Sequence, residues 1–286
     1  MKKFKRVAGK VLVQRKQDEL VGLYPERKKP RPFRGIFTMY ARFADIYDRL
    51  THDIHYIKWA DYLQSAFLKF QCTPRLILDL GCGTGSLALE LSKRGYEMIA
   101  LDSSVDMLGR AYEKARAENA DILFLNQDMR EFELYGTVDV IVCLLDSINY
   151  MTSLKDIKKV FGLVHNYLNP GGLFIFDTNS SYKLSQVLGN ETFYELDNDI
   201  SWVWQNTYDS KKRITTFDLT FFVRNKEGLY ERFEETHKER AFTREEIVKA
   251  LESTGLRLLG DYGELSFAKP APKEERIFYV VQKPQS

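Results

Sequence analysis

Cysteine, histidine and long apolar runs are all scarce in this chain of 286 residues. There are three cysteines, Cys72, Cys82 and Cys143, and four histidines. Few thiols in an odd number argue against a disulfide framework. With neither a CxxC pair nor a His-rich cluster there is no zinc spacing, and no metal site is expected. No run of eighteen apolar residues occurs, which argues against a membrane-spanning helix, and the opening MKKFKRVAGKVLVQRKQDEL lacks an apolar region of signal-peptide length. The expectation is a cytoplasmic protein. Net charge is small, +2, but unevenly spread. Residues 1–34 hold twelve Lys or Arg against three acids, a surplus of nine, which leaves about −7 on the remainder. Phosphate backbones are drawn to basic faces, so an acidic body argues against a nucleic-acid partner.

The basic leader, residues 1–38, contains the proline-interrupted ERKKPRPFR and reads as an extended tail. Met39 is an alternative working start, because MYARFADIYDRL begins an organised segment there. From Met39 on, helical and apolar segments alternate. Phe43, Ile46, Tyr47 and Leu50 fall at helical spacing, and a second helical pattern runs from Tyr56 to Phe70. Apolar runs ending at Asp79, Asp102 and Asn126, then VDVIVCLLD and LFIFDT, read as five buried strands separated by helices. Such repetition implies a doubly wound α/β sheet. From about 190 to 239 the period changes to two, and aromatic and β-branched residues predict a small antiparallel insertion. Thr243 and Glu246 fit a capping box, and RLLGDYG and ERIFYVVQK supply two final strands whose short connection favours an antiparallel pair.

LILDLGCGTGSLALE packs Gly81, Gly83 and Gly85 between a strand and a helix whose first turn is expected at Thr84 to Ser86. Backbone N–H groups and a helix N-terminus can there approach a ligand without an intervening Cβ. Asp102 lies 21 residues beyond Gly81, the separation at which a strand-end acid takes two ribose hydroxyls. Ser86 stands where a dinucleotide fingerprint wants its third glycine. NQDMREF, after the third strand, is placed to address an adenine ring. Both features favour a single nucleoside over a nicotinamide dinucleotide, although a dehydrogenase remains a third reading. Cys82 reads as a small residue filling a tight turn rather than as a redox nucleophile.

ILDLGCGTG, ALDSS, NQDMREF, VDVIVCLLDSINYM and NPGGLFIFD, in this order and spacing, resemble the class I S-adenosylmethionine-dependent methyltransferases over residues 39–286. The resemblance implies a Rossmann-like sheet of seven strands in the order 3-2-1-4-5-7-6, with strand 7 antiparallel. It implies that Gly81, Gly83 and Gly85 make room for the methionine part of S-adenosyl-L-methionine, with Asp79 or the Gly81 carbonyl near its amino group. Asp102 would hold the ribose, and Asp128 with the Met129 backbone would address adenine. Leu144, with Leu145, would close over the cofactor near the acceptor; Ser103 and Met107 complete the expected set. FADIYDRL, YIKWADYL and LLDSINYM, with the insertion, are similar to bacterial small-molecule N-methyltransferases, including amino-sugar enzymes. In that group the leading helices, here residues 39–70, form part of a lid, which would present Tyr40 and Tyr47.

An amine acceptor must be neutral to react, so Asp146 or His237 is expected to take its proton, with Asn149 and Tyr150 beside Asp146. Each residue also has a plainer reading. Asp79 could brace the glycine turn, Asp128 could be a solvated loop acid, Asp146 could cap the next turn, and His237 sits in EETHKER, which suits an exposed edge strand. Asp177 could serve either pocket or loop. Trp202, Trp204, Tyr208, Phe217, Phe221, Tyr230 and Phe233 could line an acceptor pocket, bury against a second copy in a homodimer, or simply pack the insertion onto the sheet. An RNA or protein methyltransferase and a non-enzymatic cofactor-binding module are the alternative functions.

Overall fold

Short apolar runs become the inner strands of the main sheet because both of their faces can be covered by helices. The computed structural model describes residues 39–285, with side chains from Phe43 onward. The basic leader and the side chain of Tyr40 lie outside the described residues. Strands β1 (Leu76–Leu80), β2 (Glu97–Asp102), β3 (Ile122–Asn126), β4 (Val138–Cys143) and β5 (Leu168–Asn179) are mutually parallel. Helices α1 (Met39–Leu50) and α2 (Tyr56–Lys69) precede them, and α3 (Ser86–Lys93), α4 (Val105–Ala117) and α5 (Leu154–Tyr167) connect them.

The chain then leaves the main sheet to form β6 (Thr192–Glu195), β7 (Ile200–Asp209), β8 (Ile214–Arg224) and β9 (Tyr230–Arg240), a separate antiparallel sheet. It returns through α6 (Arg244–Glu252) to β10 (Arg257–Gly263) and β11 (Arg276–Gln282). The main sheet has the order β3-β2-β1-β4-β5-β11-β10, and β11 runs antiparallel to both neighbours. This is the seven-stranded order that the family resemblance implied.

Alternation along β1 divides the core into two layers. Leu78 and Leu80 join Ile141, Phe174, Phe161 and Ile247 beneath α5 and α6, whereas Ile77 joins Val142, Ile175, Leu63 and Leu91 beneath α2 and α3. All eleven side chains are fully buried. Each contributes about 1.5–3 kcal/mol relative to exposure. Local signals agree with this packing. Ser104 caps α4 by accepting from the Met107 N–H at 3.3 Å, and Thr243 and Glu246 make the reciprocal capping box of α6.

The small sheet is covered by elements other than the main sheet, contrary to the simplest expectation for its aromatics. Ile46, Phe43 and Leu50 of α1 pack against Ile200, Trp202, Phe221 and Phe233. Trp204 and Phe217 instead pack with Leu184 and Leu188 of the segment after β5. Tyr230 does not share the inner face. It is exposed, and its hydroxyl donates to the Asn198 carbonyl at 2.8 Å.

Candidate functional site

The glycine turn leaves β1 with Gly81, Gly83 and Gly85 all at positive φ, +82°, +53° and +72°. Their reasons differ. A Cβ on Gly85 would lie 2.8 Å from Ala111 Cβ, so this glycine lets α3 and α4 meet. A Cβ on Gly83 would meet nothing within 4 Å, so its bare backbone faces open space beyond the strand ends. Helix α3 begins at Ser86, with Gly85 as its left-handed cap, so the expected helical start at Thr84 is corrected by one tight turn.

Asp79 stands behind this turn, 3 % exposed, with Oδ2 buried and lacking a hydrogen-bond partner among the described residues. Burial, and then the neighbouring Asp102 carboxylate, push its pKa up to about 7. Asp102 accepts from the Gly83 N–H and the Ser104 N–H, each at 2.8 Å. Burial raises its pKa while these amides pull the other way. Asp79, Gly81, Gly83 and Leu144 line one cavity of about 50 Å³ with Tyr47, Tyr56 and Ser147. Cys82 lines it too, but burial holds its thiol protonated, which fits a filler and not a nucleophile.

Outside β2 and β3 an open depression of about 580 Å³ is lined by Ser103, Asn126, Gln127 and Asp128. The Asp128 carboxylate is not free there. Arg130 donates to it through Nε at 2.9 and 3.1 Å and through Nη2, and this guanidinium lowers its pKa. Met129 points back to the glycine turn, its Cε 3.3 Å from where a Gly81 Cβ would be. Met107 lies in the first turn of α4, next to the Ser104 cap.

Helix α1 is held over the glycine turn by charge. Arg110 of α4 pairs with Asp45, and Lys114 pairs with Asp48 at 2.8 Å. Asp48 also accepts from Thr84 Oγ1 at 2.6 Å, while Lys114 Nζ donates to Thr84 and Ser86 at 2.9 and 2.7 Å. This clasp sets Tyr47 into the cavity wall. Burial and the surrounding acids raise the Tyr47 hydroxyl, which stays protonated.

Beyond β4 the backbone is strained, with Leu145 and Asp146 consecutively at φ +58° and +56°. Non-glycine residues so placed cost about 1–3 kcal/mol each and persist where neighbours hold them. Arg276 supplies that hold. Its Nη2 donates to Asp146 Oδ1 at 2.8 Å and its Nη1 to Asp177, while Asp177 Oδ2 accepts from the Asp146 N–H at 3.1 Å. Arg276 comes from β11, 130 positions from Asp146. No local sequence signal marks that pairing.

Glu239 on β9 brings its carboxyl within hydrogen-bonding reach of Asp146 and accepts from Asn179 Nδ2 at 2.8 Å. Burial, and then Asp146, push its carboxyl well above the ordinary carboxylate range. Burial, Glu239 and Asp146 likewise push the Tyr150 hydroxyl up. His237, two residues before Glu239, rests its ring against Phe43 and Tyr150 at 5.6 and 5.9 Å. Its Nε2 is buried without a hydrogen-bond partner among the described residues, and burial lowers its pKa. The exposed-edge reading of His237 is corrected accordingly: β9 is an edge strand, but this side chain lies on its covered face. Glu239 went unmarked because an alternating charged strand looks solvated from sequence alone.

Asn149 is not part of this group. Fully buried, it donates to the Asn179 and Arg240 carbonyls at 3.1 and 2.9 Å and accepts from the Asn179 N–H at 2.9 Å. All three bonds go to backbone, so Asn149 braces β5 against β9, and the expected acceptor contact is replaced by a structural one. Among the described residues no His, Cys, Asp and Glu group could hold a metal ion, and no helix is long and apolar enough to cross a membrane.

Comparison with known proteins agrees with this geometry. Residues 77–172, from the first strand into the start of the fifth, match the methyltransferase domain family. YqeM of Bacillus subtilis (strain 168), which carries a methyltransferase name, is 35 % identical over 246 residues, covering 86 % of this chain and 97 % of its own. The crystal structure of an S-adenosylmethionine-dependent methyltransferase from Clostridium acetobutylicum ATCC 824 superposes with a TM-score of 0.79 at 37 % identity, covering 86 % of this chain and all of that one. The sugar N-methyltransferase KedS8 from Streptoalloteichus sp ATCC 53650 shares the fold at 16 % identity, with a TM-score of 0.67 over 89 % of this chain and 97 % of its own. A glycine turn open at Gly83, with acids at the ends of the strands on either side, and similarity of this order over 86 % of the chain place it in the class I S-adenosylmethionine-dependent methyltransferase family.

Proposed function

We propose that this methyltransferase transfers its methyl group to the nitrogen of a small amine, with His237 taking the proton. The observation that carries the reading is the unpartnered His237 Nε2, buried against Phe43 and Tyr150 on the same face of β9 as Glu239. Lowered by burial, His237 is neutral at neutral pH and able to accept a proton. The sugar N-methyltransferase name of KedS8 supports the same acceptor class.

The cofactor residues fit S-adenosylmethionine on their own geometry. Asp79 offers an unpaired carboxyl oxygen to the methionine ammonium, and Gly83 leaves space for close backbone approach. Asp102 is positioned for the ribose, its two amide bonds leaving lone pairs on each oxygen. Tyr47, Leu144 and Ser147 close the cavity. Asp128 would serve adenine only if Arg130 released it, so the Met129 backbone and the Asn126 side of the depression are the better adenine contacts. A 50 Å³ cavity is far below the roughly 300 Å³ lower limit for ligand pockets, so α1 must shift to admit the cofactor, in keeping with a lid.

When bound, the cofactor supplies a methyl group already activated on a sulfonium, so the protein's task is positioning and proton removal. Held in line with the methyl, an acceptor nitrogen would form the N–C bond with its lone pair, and the cofactor would leave as the neutral thioether. His237 Nε2 receives the surplus proton from nitrogen. Asp146, fixed by Arg276, would face the acceptor nitrogen, and burial beside Asp146 pushes the Glu239 carboxyl well above its ordinary range.

The test is transfer of an isotopically labelled methyl from S-adenosylmethionine to matched amines, alcohols and carboxylates. Amines are expected to be the acceptors, with His237→Ala lowering kcat at least about tenfold at unchanged cofactor affinity. Transfer to alcohols or carboxylates alone would overturn the reading.

A further inference from the structure

Strand β9 carries more on its covered face than the proton acceptor. Phe233, Glu235, His237 and Glu239 alternate toward α1 and the turn after β4, and their neighbours on β8 are Phe221, Leu219, Phe217 and Thr215. Glu235 is 5 % exposed, yet its Oε1 has no hydrogen-bond partner among the described residues, and no described cation pairs with it. Leu219, directly opposite, packs against both apolar clusters of the small sheet, so Glu235 marks the seam between them. Across Leu219 on the same row lies Trp204, whose Nε1 is likewise buried and unpartnered. A carboxyl and an indole N–H that both lack partners, in line with His237, do nothing for packing.

We propose that Glu235 is a specificity-determining residue of the acceptor site, binding a second, cationic group of an elongated amine acceptor. Along a strand, Glu235 lies about 7 Å from His237 and about 13 Å from Glu239. The acceptor therefore carries a cation several bonds away from the nitrogen that is methylated. Chemistry favours a cation over a hydroxyl at this end. Burial alone raises the Glu235 carboxyl, and no described donor stabilises its ionised form, so a bound ammonium is the group that gains most from ionising it. Trp204 Nε1 then donates to a neighbouring acceptor atom of the same molecule.

This inference rests on the amine reading, and the experiment separates the two. Methyl transfer is measured to 1,8-diaminooctane and to octylamine, which differ only in the distal ammonium. For the wild-type enzyme kcat/KM is expected to be at least about tenfold higher for the diamine, and the preference should fall to about one in Glu235→Gln. Equal rates on both amines in the wild type would overturn the role of Glu235 while leaving the amine reading standing. No transfer to either amine by protein that binds S-adenosylmethionine would overturn both. The wild-type ratio decides the matter even where Glu235→Gln fails to fold.

Discussion

Replacing Asp79 by Asn sets two effects of opposite sign against each other. In the folded protein the carboxyl titrates at about 7, against 3.8 for an ordinary aspartate. Between those values the folded state holds a proton that the unfolded state has released, so stability falls as pH rises from 3.8 through about 7. Three pH units at 1.36 kcal/mol each amount to about 4 kcal/mol of strain at pH 8. Asn cannot ionise and is spared that strain. It leaves a buried amide without a partner, at about 1–3 kcal/mol. The net expectation is that Asp79→Asn stabilises the free protein by about 1–3 kcal/mol at pH 8 and destabilises it by about as much at pH 4, where little strain is relieved and the amide cost remains.

Cofactor binding should move the other way. The methionine ammonium needs the ionised carboxylate, so one pH unit below 7 the wild-type affinity should be about tenfold below its plateau. Asp79→Asn should remove that dependence and weaken binding by about 10- to 100-fold at pH 8, the worth of a charge-assisted bond. Thermal melts from pH 4 to 8.5 and calorimetric titrations from pH 5.5 to 8.5 read both signs. Wild-type binding independent of pH, or tight binding by the variant, would refute the assignment.

The glycines of the turn should separate by mechanism. Gly85→Ala forces a methyl to 2.8 Å from Ala111 on top of its left-handed backbone and should lower Tm sharply, whereas Gly83→Ala, with open space before it and only its φ of +53° to strain, should lower Tm less and cost cofactor affinity, as paired melts and titrations would show. Arg276→Met leaves the Asp146 and Asp177 carboxylates without their cation and should cost about 3–5 kcal/mol at pH 7. Burial already raises the Asp177 carboxyl, and acidification protonates it, so the Tm gap to wild type should narrow as pH falls. A gap that widened would contradict the network.

Much of the main sheet could be read directly because its determinants are local. β4 is nearly continuous in apolar residues, and the glycine turn sits directly between a strand and a helix, so periodicity and chain punctuation carry the information. The cofactor half of the site follows for the same reason, since Asp79 and Asp102 end their strands. The acceptor half is assembled over long separations. Arg276 reaches Asp146 across 130 positions, and Glu239 meets Asn179 across 60. In the sequence these are ordinary charges near a strand end and on an alternating strand. Asn149 shows the opposite failure. It lies three residues from Asp146, yet the turn directs its amide to backbone groups of β5 and β9 rather than to the crevice. Likewise, nothing local in the strand pattern of the insertion says that α1, more than 150 positions earlier, will cover its aromatic face.

The central claim is that the glycine turn and the two acids behind it form the cofactor site. It is tested most directly by calorimetric titration of wild type and Asp102→Ala with S-adenosylmethionine and, separately, NADH. The account predicts micromolar binding of S-adenosylmethionine, no binding of NADH, and at least about tenfold loss of affinity in the variant. Binding of NADH alone, or an Asp102→Ala protein that holds S-adenosylmethionine as tightly as wild type, would contradict it.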